Sequence, residues 1–309
     1  MFARCLFNLR AKPSNIEGKT LITMEKNSFT AWLLFCSTLV LTGCQSMDTP
    51  PQPAAQLPLT SRIIDAQTGK TLTPDALLAV LSRAPTAIVG EEHTNADHHA
   101  IKLWLLQNMV KKRPQGSVLL EMLTPDQQPA VDRVKLALHD GAAMREPRIQ
   151  EALRWNAGWP WPLYGALVMT ALKADYPLLA ANITRERIGE IYQNPVFPAG
   201  EHSSQKTVRD AQASIIYLMH GGDIQAAQIQ AMVAIQQNRD RAMAQALIDA
   251  PKPAVLFAGG YHAAKDIGVP VHIQDLNGSA PVVLMLATEG TTITAKQADY
   301  VWFVPASKP

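Results

Sequence analysis

Two short turns carry most of the chemistry in this chain. Gly90-Glu91-Glu92-His93 follows the apolar run at 86–89, and Gly259-Gly260-Tyr261-His262 follows the apolar run at 254–257. Each reads as a buried strand, a glycine that lets the backbone turn sharply, and then a histidine. In an open parallel sheet, ligands bind in the loops just past the carboxyl ends of strands. Two histidines, carboxylates and a tyrosine are therefore candidates for one shared rim. Successive residues in a turn point different ways, so one of Glu91 and Glu92 is expected to face the rim with His93. A histidine and a carboxylate that converge on a concave site can hold a divalent metal or move a proton.

Glu121 ends the apolar run Val118-Leu119-Leu120, where a carboxylate is costly to bury without a partner. It is expected beside His93 if their strands are neighbours. His98 lies one turn before Ile101 and is expected to face inward, whereas His99 is expected in solvent. Tyr164 closes the block Trp155-Asn-Ala-Gly-Trp159-Pro-Trp161-Pro-Leu-Tyr164, which holds three of the chain's six tryptophans. Such a cluster bounds an aromatic ligand pocket or seals a helical lid. Arg239-Asp240-Arg241 is a polar band within a long helix. It is either a solvated face or a means of aiming a guanidinium at a propionate or phosphate.

The elements that position these residues alternate. Apolar runs at 86–90, 117–122, 178–182, 254–259, 282–287 and 300–304 fit strands buried on both faces. Helical patterns lie between them: one over 95–112 with Lys111, Lys112 and Arg113 in its last turn, one opened by a capping box at Thr124–Gln127 and stopped by Gly141, and one capped by Asp223 and reaching Asp249. Alternation of this kind predicts a three-layer α/β/α fold with a mostly parallel sheet. The stretches 123–177 and 183–250 exceed what one crossover needs. They are expected to build a helical subdomain over the carboxyl edge of the sheet, within a single domain spanning 61–309.

The N-terminus reads as an address. From Met24 the chain has a short polar start, an apolar stretch and small residues before Cys44, which is signal-peptide anatomy. Residues 1–43 are expected to be removed, with Met24 as an alternative start. Leu41-Thr42-Gly43-Cys44 resembles a lipobox, which implies acylation of Cys44 and a membrane anchor. Gln45 after it, by resemblance to enteric lipoproteins, favours the bacterial outer membrane, facing the periplasm. Residues 44–60 then form the lipidated cysteine and a Gln/Pro/Ala/Thr-rich tether. Cys5, Cys36 and Cys44 are all the cysteines, so the expected folded part has no disulfide, thiol nucleophile or cysteine-ligated metal. Removal of 1–43 leaves 23 basic and 24 acidic residues, a balance that carries no nucleic-acid footprint.

Taken together, the lipobox, GEEHTNADHH at 90–99, LLEM at 119–122, the aromatic block ending at Tyr164, Ala181-Asn182, RDRAMA at 239–244 and GGYHAAKDIGVP at 259–270 resemble the ChaN-type haem-binding lipoproteins. Their superfamily also holds the Tiki metalloproteases and the erythromycin esterases, and the likeness covers about 60–304. The resemblance implies a site made from the two Gly-x-x-His turns and Glu121. It further implies haem as the ligand, with a tyrosine on the iron, in haem or iron acquisition. A haem-bridged homodimer and an outer-membrane receptor or uptake machinery as partner are implied too. Tyr164 is the first candidate iron ligand and Tyr261 the second, with His262, Trp159, Trp161 and Arg239 around the haem. No CxxCH is present, so the haem would not be covalently attached. The alternative implied by the Tiki branch is a hydrolase that uses Glu92, His93, Glu121 and His262 with a divalent metal such as Mn or Zn.

Overall fold

A computed structural model describes Leu57 and residues 61–306. The expected signal peptide, Met24, Cys44 and the expected tether other than Leu57 lie outside the described residues. The six apolar runs are all strands: β3 (Thr86–Glu91), β4 (Ser117–Leu120), β5 (Leu178–Ala180), β6 (Ala254–Gly259), β7 (Val282–Thr288) and β8 (Tyr300–Val304). Two short strands precede them, β1 (Arg62–Asp65) and β2 (Thr71–Leu72). The sheet runs β2-β1-β8-β7-β3-β6-β4-β5. All pairings from β8 to β5 are parallel, and β1 and β2 add antiparallel to the β8 edge.

Side chains alternate between two cores, as strands buried on both faces require. Val89, Val118, Leu120, Val255, Phe257 and Trp302 face one core, while Ile88, Leu119, Leu256, Val283 and Met285 face the other. The first core is covered by α1 (Pro74–Arg83), α2 (Ala96–Lys112), α3 (Gln128–His139), the short α4 (Glu146–Ala152) and α5 (Trp161–Lys173). α6 (Arg185–Gln193) and α7 (Lys206–Met219) pack through smaller clusters on α8 (Ala226–Asp249). The second core is covered by α8 and α10 (Val269–Asp275), with a single turn, α9 (Gly260–Ala263), directly after β6. The result is a three-layer α/β/α fold. Both helical stretches also reach the carboxyl edge: the first through Trp159 and Tyr164, the second through Asp240.

Local signals are mostly where the sequence puts them. Asn95 caps α2 by accepting from the Asp97 and His98 N–H groups. The Thr124–Gln127 capping box is formed, but in a 3₁₀ turn at Pro125–Gln127, so α3 proper begins at Gln128. The expected Asp223 cap is corrected. Gly221 and Gly222 adopt φ of 65° and 79° to turn the chain back on α7. The chain needs a few further residues before a helix can start, so Gln225 caps α8 in a box with Gln228. No helix among the described residues is long and apolar enough to cross a membrane.

Candidate functional site

The carboxyl ends of β3, β6 and β4 lie side by side, with β6 in the middle. The strands of His93 and Glu121 are not neighbours, the condition on which the two were expected side by side; they meet instead across Gly259 at the end of β6. A Cβ on Gly259 would stand 2.7 Å from His93 Nε2 and 3.5 Å from Glu121 Oε2. Glycine is required there because two functional side chains close over the backbone. The Gly259 N–H donates to Glu121 Oε2 at 2.7 Å.

From Glu121 a buried chain runs outward. Glu121 Oε1 lies 3.6 Å from His262 Nε2, and His262 Nδ1 lies 2.6 Å from Asp240 Oδ1 on α8. Burial would raise the Glu121 carboxyl, but the charges of His262 and His93, the Gly259 N–H and Arg239 outweigh it and hold the group below its ordinary range. Burial would likewise lower the His262 imidazole, yet the Asp240 and Glu121 carboxylates outweigh it and raise the group above its ordinary value. His262 thus sits between two carboxylates that favour its protonated form.

A second network backs His93. Of the two successive glutamates, Glu91 is the one that turns to the rim. Its Oε1 accepts from the Tyr164 hydroxyl at 2.8 Å and lies 3.0 Å from His93 Nδ1; its Oε2 meets the Lys102 ammonium and stands 3.8 Å from His99 Nδ1. Glu92 points away, and its carboxylate accepts from the Thr288 N–H and hydroxyl at 3.2 and 3.1 Å at the end of β7. Glu92 therefore leaves the hydrolytic set, because a one-residue step along the chain sends the side chain to the opposite side. Lys102 is fully buried, its ammonium 4.8 Å over the Tyr164 ring. Burial drives Lys102 well below the ordinary lysine range, partly opposed by the Glu121 charge.

His98 is buried as expected and accepts the Glu92 N–H on Nδ1 at 3.0 Å. His99, expected in solvent, is buried too: its Nε2 lies 3.0 Å from the His93 carbonyl oxygen, and its ring meets Tyr164 edge-on at 4.4 Å. Burial lowers both imidazoles to about 4, so both are neutral.

The aromatic block divides. Trp159 packs edge-on against His93 at 4.9 Å and Tyr164 at 5.6 Å, and so borders the rim. Trp161 does not: its indole N–H donates to Glu146 at 2.7 Å, its ring packs on Trp155, and it fills the space where a Cβ on Gly165 would be. Tyr164 is wholly buried and Tyr261 is 58% exposed. Arg241 is taken up by Asp275 and His272 at 3.1 and 3.2 Å, while the Arg239 charge acts on Glu121 and His262.

Sequence reasoning passed over Asp240 and Lys102. Helical spacing was the available signal. Val233, Gln237, Asp240 and Ala244 recur at one-turn intervals on the buried side of α8, as do His98, Lys102, Leu105 and Met109 on α2. Among the described residues, no group of three or more His, Cys, Asp or Glu side chains is arranged to hold a metal ion.

The family model described as "Haem-binding uptake, Tiki superfamily, ChaN" matches residues 77–273. The solved structure of ChaN of Campylobacter jejuni with cofacial haem binding superposes with a TM-score of 0.73 at 28% identity, covering 78% of this chain and 96% of that one. A Bacillus cereus protein gives a TM-score of 0.42 at 12% identity over 75% of this chain and 72% of its own. An erythromycin esterase in its open conformation gives 0.44 at 12% identity over 76% and 78%. No curated protein gives a significant match. The family match embraces both Gly-x-x-His turns, Glu121, Tyr164 and Asp240, and the chain belongs to the haem-binding uptake family of the Tiki superfamily, the ChaN group.

Proposed function

We propose that this protein binds haem at the open rim after β6, with the Tyr261 phenolate on the iron, and serves haem or iron acquisition. The observation that carries the choice of ligand is the contrast between the tyrosines. Tyr261 stands 58% exposed on the α9 turn, whereas the Tyr164 hydroxyl is enclosed between Glu91 and His93. Tyr164, first in the sequence reading, yields its place because a planar macrocycle has no access to a wholly buried phenol. Bound haem would supply a ferric iron, to which the Tyr261 oxygen is a suited hard donor. Trp159 borders the haem, Arg239 offers charge toward a propionate, and His262 holds the turn from beneath. Trp161 has no part in this arrangement.

An exposed ligand on an open rim leaves much of the haem uncovered, which favours a second subunit facing the first, as a haem-bridged homodimer. The lipobox Leu41–Cys44 and Gln45 support an acylated Cys44 that anchors the chain at the periplasmic face of the outer membrane, from which haem passes to or from uptake machinery. Haem titration of the full chain, read by absorption, tests the ligand: Tyr261→Phe loses the tyrosinate-type ferric spectrum, and Tyr164→Phe keeps it. The opposite result overturns the assignment. Sedimentation with and without haem tests the dimer, and loss of palmitate labelling in Cys44→Ala tests the anchor.

A further inference from the structure

The turn that presents Tyr261 is too short to hold itself. α9 has four residues, and its closing backbone bond runs from the Ala264 N–H to the Gly260 carbonyl at 3.0 Å. Isolated helical segments of that length have no stability in water, so tertiary contacts must set its shape. Consecutive residues on a helical turn point about 100° apart. Here that places Tyr261 outward and His262 inward, at 58% and 7% exposure. His262 is the polar anchor of the turn, and Asp240 holds it from another helix. The chain Asp240–His262–Glu121–Gly259 N–H joins α8, the turn, the end of β4 and the end of β6 through contacts of 2.6, 3.6 and 2.7 Å.

We infer that Asp240 is a positioning residue for the haem site, fixing through His262 the turn that presents Tyr261. The inference rests on Tyr261 being the iron ligand. Its logic is that of a carboxylate behind a metal ligand: the outer residue touches no iron, yet it decides where the inner one stands. It acts here at one further remove, through the residue next to the ligand in the chain. Apolar packing alone would hold the turn less tightly, because an aliphatic contact tolerates rotation that a 2.6 Å charge-assisted bond does not. The following loop closes on the same turn: a Cβ on Gly268 would stand 2.2 Å from the His262 carbonyl oxygen. The backbone at Tyr261 is thus packed from the Gly268 side, and His262 is the buried polar side chain that ties it to a neighbouring helix.

The test is a haem titration of the full chain carrying Asp240→Asn, which keeps the shape and removes the charge. Removal of an outer-shell partner weakens metal affinity by roughly 10- to 100-fold. That loss is expected here, together with a changed ferric spectrum, while far-ultraviolet circular dichroism stays that of the wild type. Leu77→Ala, in the core beneath α1, is the control for lost stability alone and keeps wild-type affinity and spectrum. If Asp240→Asn lowers the melting temperature but takes up haem with wild-type affinity and spectrum, Asp240 has a structural role only and the inference falls. Should Asp240→Asn not fold, Glu121→Gln breaks the same chain from its other end, with the same two outcomes. Tyr261→Phe separates the two claims. If it keeps the wild-type spectrum, the ligand assignment fails and takes the inference with it. If it loses the spectrum while Asp240→Asn retains it, only the role of Asp240 falls.

Discussion

After β3 the turn leaves its histidine partly open and buries the tyrosine that meets it; after β6 the turn buries its histidine and exposes its tyrosine. His93 keeps 24% of its side chain in solvent, with Tyr164 sealed behind it, whereas His262 is enclosed and Tyr261 stands free. The charges differ in the same sense. Beneath the first turn lie two imidazoles that burial keeps neutral, His98 and His99. Within the second lies one whose proton affinity burial would lower but Asp240 and Glu121 raise above its ordinary value. One pattern, Gly-x-x-His, thus gives two arrangements: the first turn closes over a buried tyrosine, and the second sets its tyrosine in solvent. The pattern brings histidines to the rim, but the partners on neighbouring helices decide what each histidine does.

Acid should separate the turns most strongly. His98 and His99 have folded values near 4 against 6.5 for a free imidazole, so the unfolded chain binds protons that the folded chain refuses. Their contribution to stability is complete above pH ~6.5 and is lost as pH falls toward and through 4. It amounts to about 3 kcal/mol for each histidine. Urea unfolding between pH 7 and pH 4 measures it, and His99→Gln should flatten that pH dependence. A profile unchanged in the variant would mean that the first turn is not the acid-sensitive one.

Lys102→Met comes next. It leaves Glu91 Oε2 without its ammonium in a dry site, and removing one partner of a buried ion pair costs about 3–5 kcal/mol. Chemical denaturation checks this. The companion change Glu91→Gln in the same chain should recover part of the loss, because it removes the stranded charge. If the single substitution costs nothing, the floor of the first turn is held by packing alone.

Gly90→Ala tests where the two turns touch. A Cβ there would stand 2.6 Å from the Ala263 Cβ, 2.7 Å from the Met285 Sδ and 3.2 Å from the Gly260 Cα. Met285 can move, but Ala263 and Gly260 are fixed by backbone, so the α9 turn must shift. Overpacking of this kind costs about 1–3 kcal/mol. Unlike the preceding variants, it should weaken haem uptake in the folded protein, because it displaces the turn of Tyr261. Denaturation and haem titration on the same sample separate the two effects.

These residues also show how far the sequence could be read. The six parallel strands were legible because burial on both faces makes them continuous apolar runs. β1 and β2 were not: β2 has two residues at the edge of the sheet, and among β1's four residues only Ile63 is buried. The rim was legible through its glycines, since a glycine after an apolar run marks a sharp turn whatever surrounds it. The split between Glu91 and Glu92 was foreseen as a split, but its sense depends on the register of β3, which places Glu91 opposite Gly259. Asp240 and Lys102 were hidden for another reason. A charged residue in a polar stretch reads as solvated until its partner is known, and His262 and Glu91 are 22 and 11 residues away along the chain. The burial of Tyr164 was hidden on the same point, because an aromatic block looks alike whether it lines a pocket or plugs one.

The smallest expected effect on stability is the most telling about function. Tyr164→Phe removes a hydroxyl that donates to a buried carboxylate and should cost about 1–3 kcal/mol. Tyr261→Phe removes an exposed hydroxyl and should stay within about 0.5 kcal/mol of the wild type. Haem uptake should rank the pair the other way, unchanged in the first and lost in the second. Melting curves and ferric spectra of both variants together yield that crossed result only if one tyrosine belongs to the fold and the other to the ligand. Parallel behaviour in the two variants would mean that the turns do not divide their parts, and that the buried phenol reaches the haem through a rearrangement of the first turn.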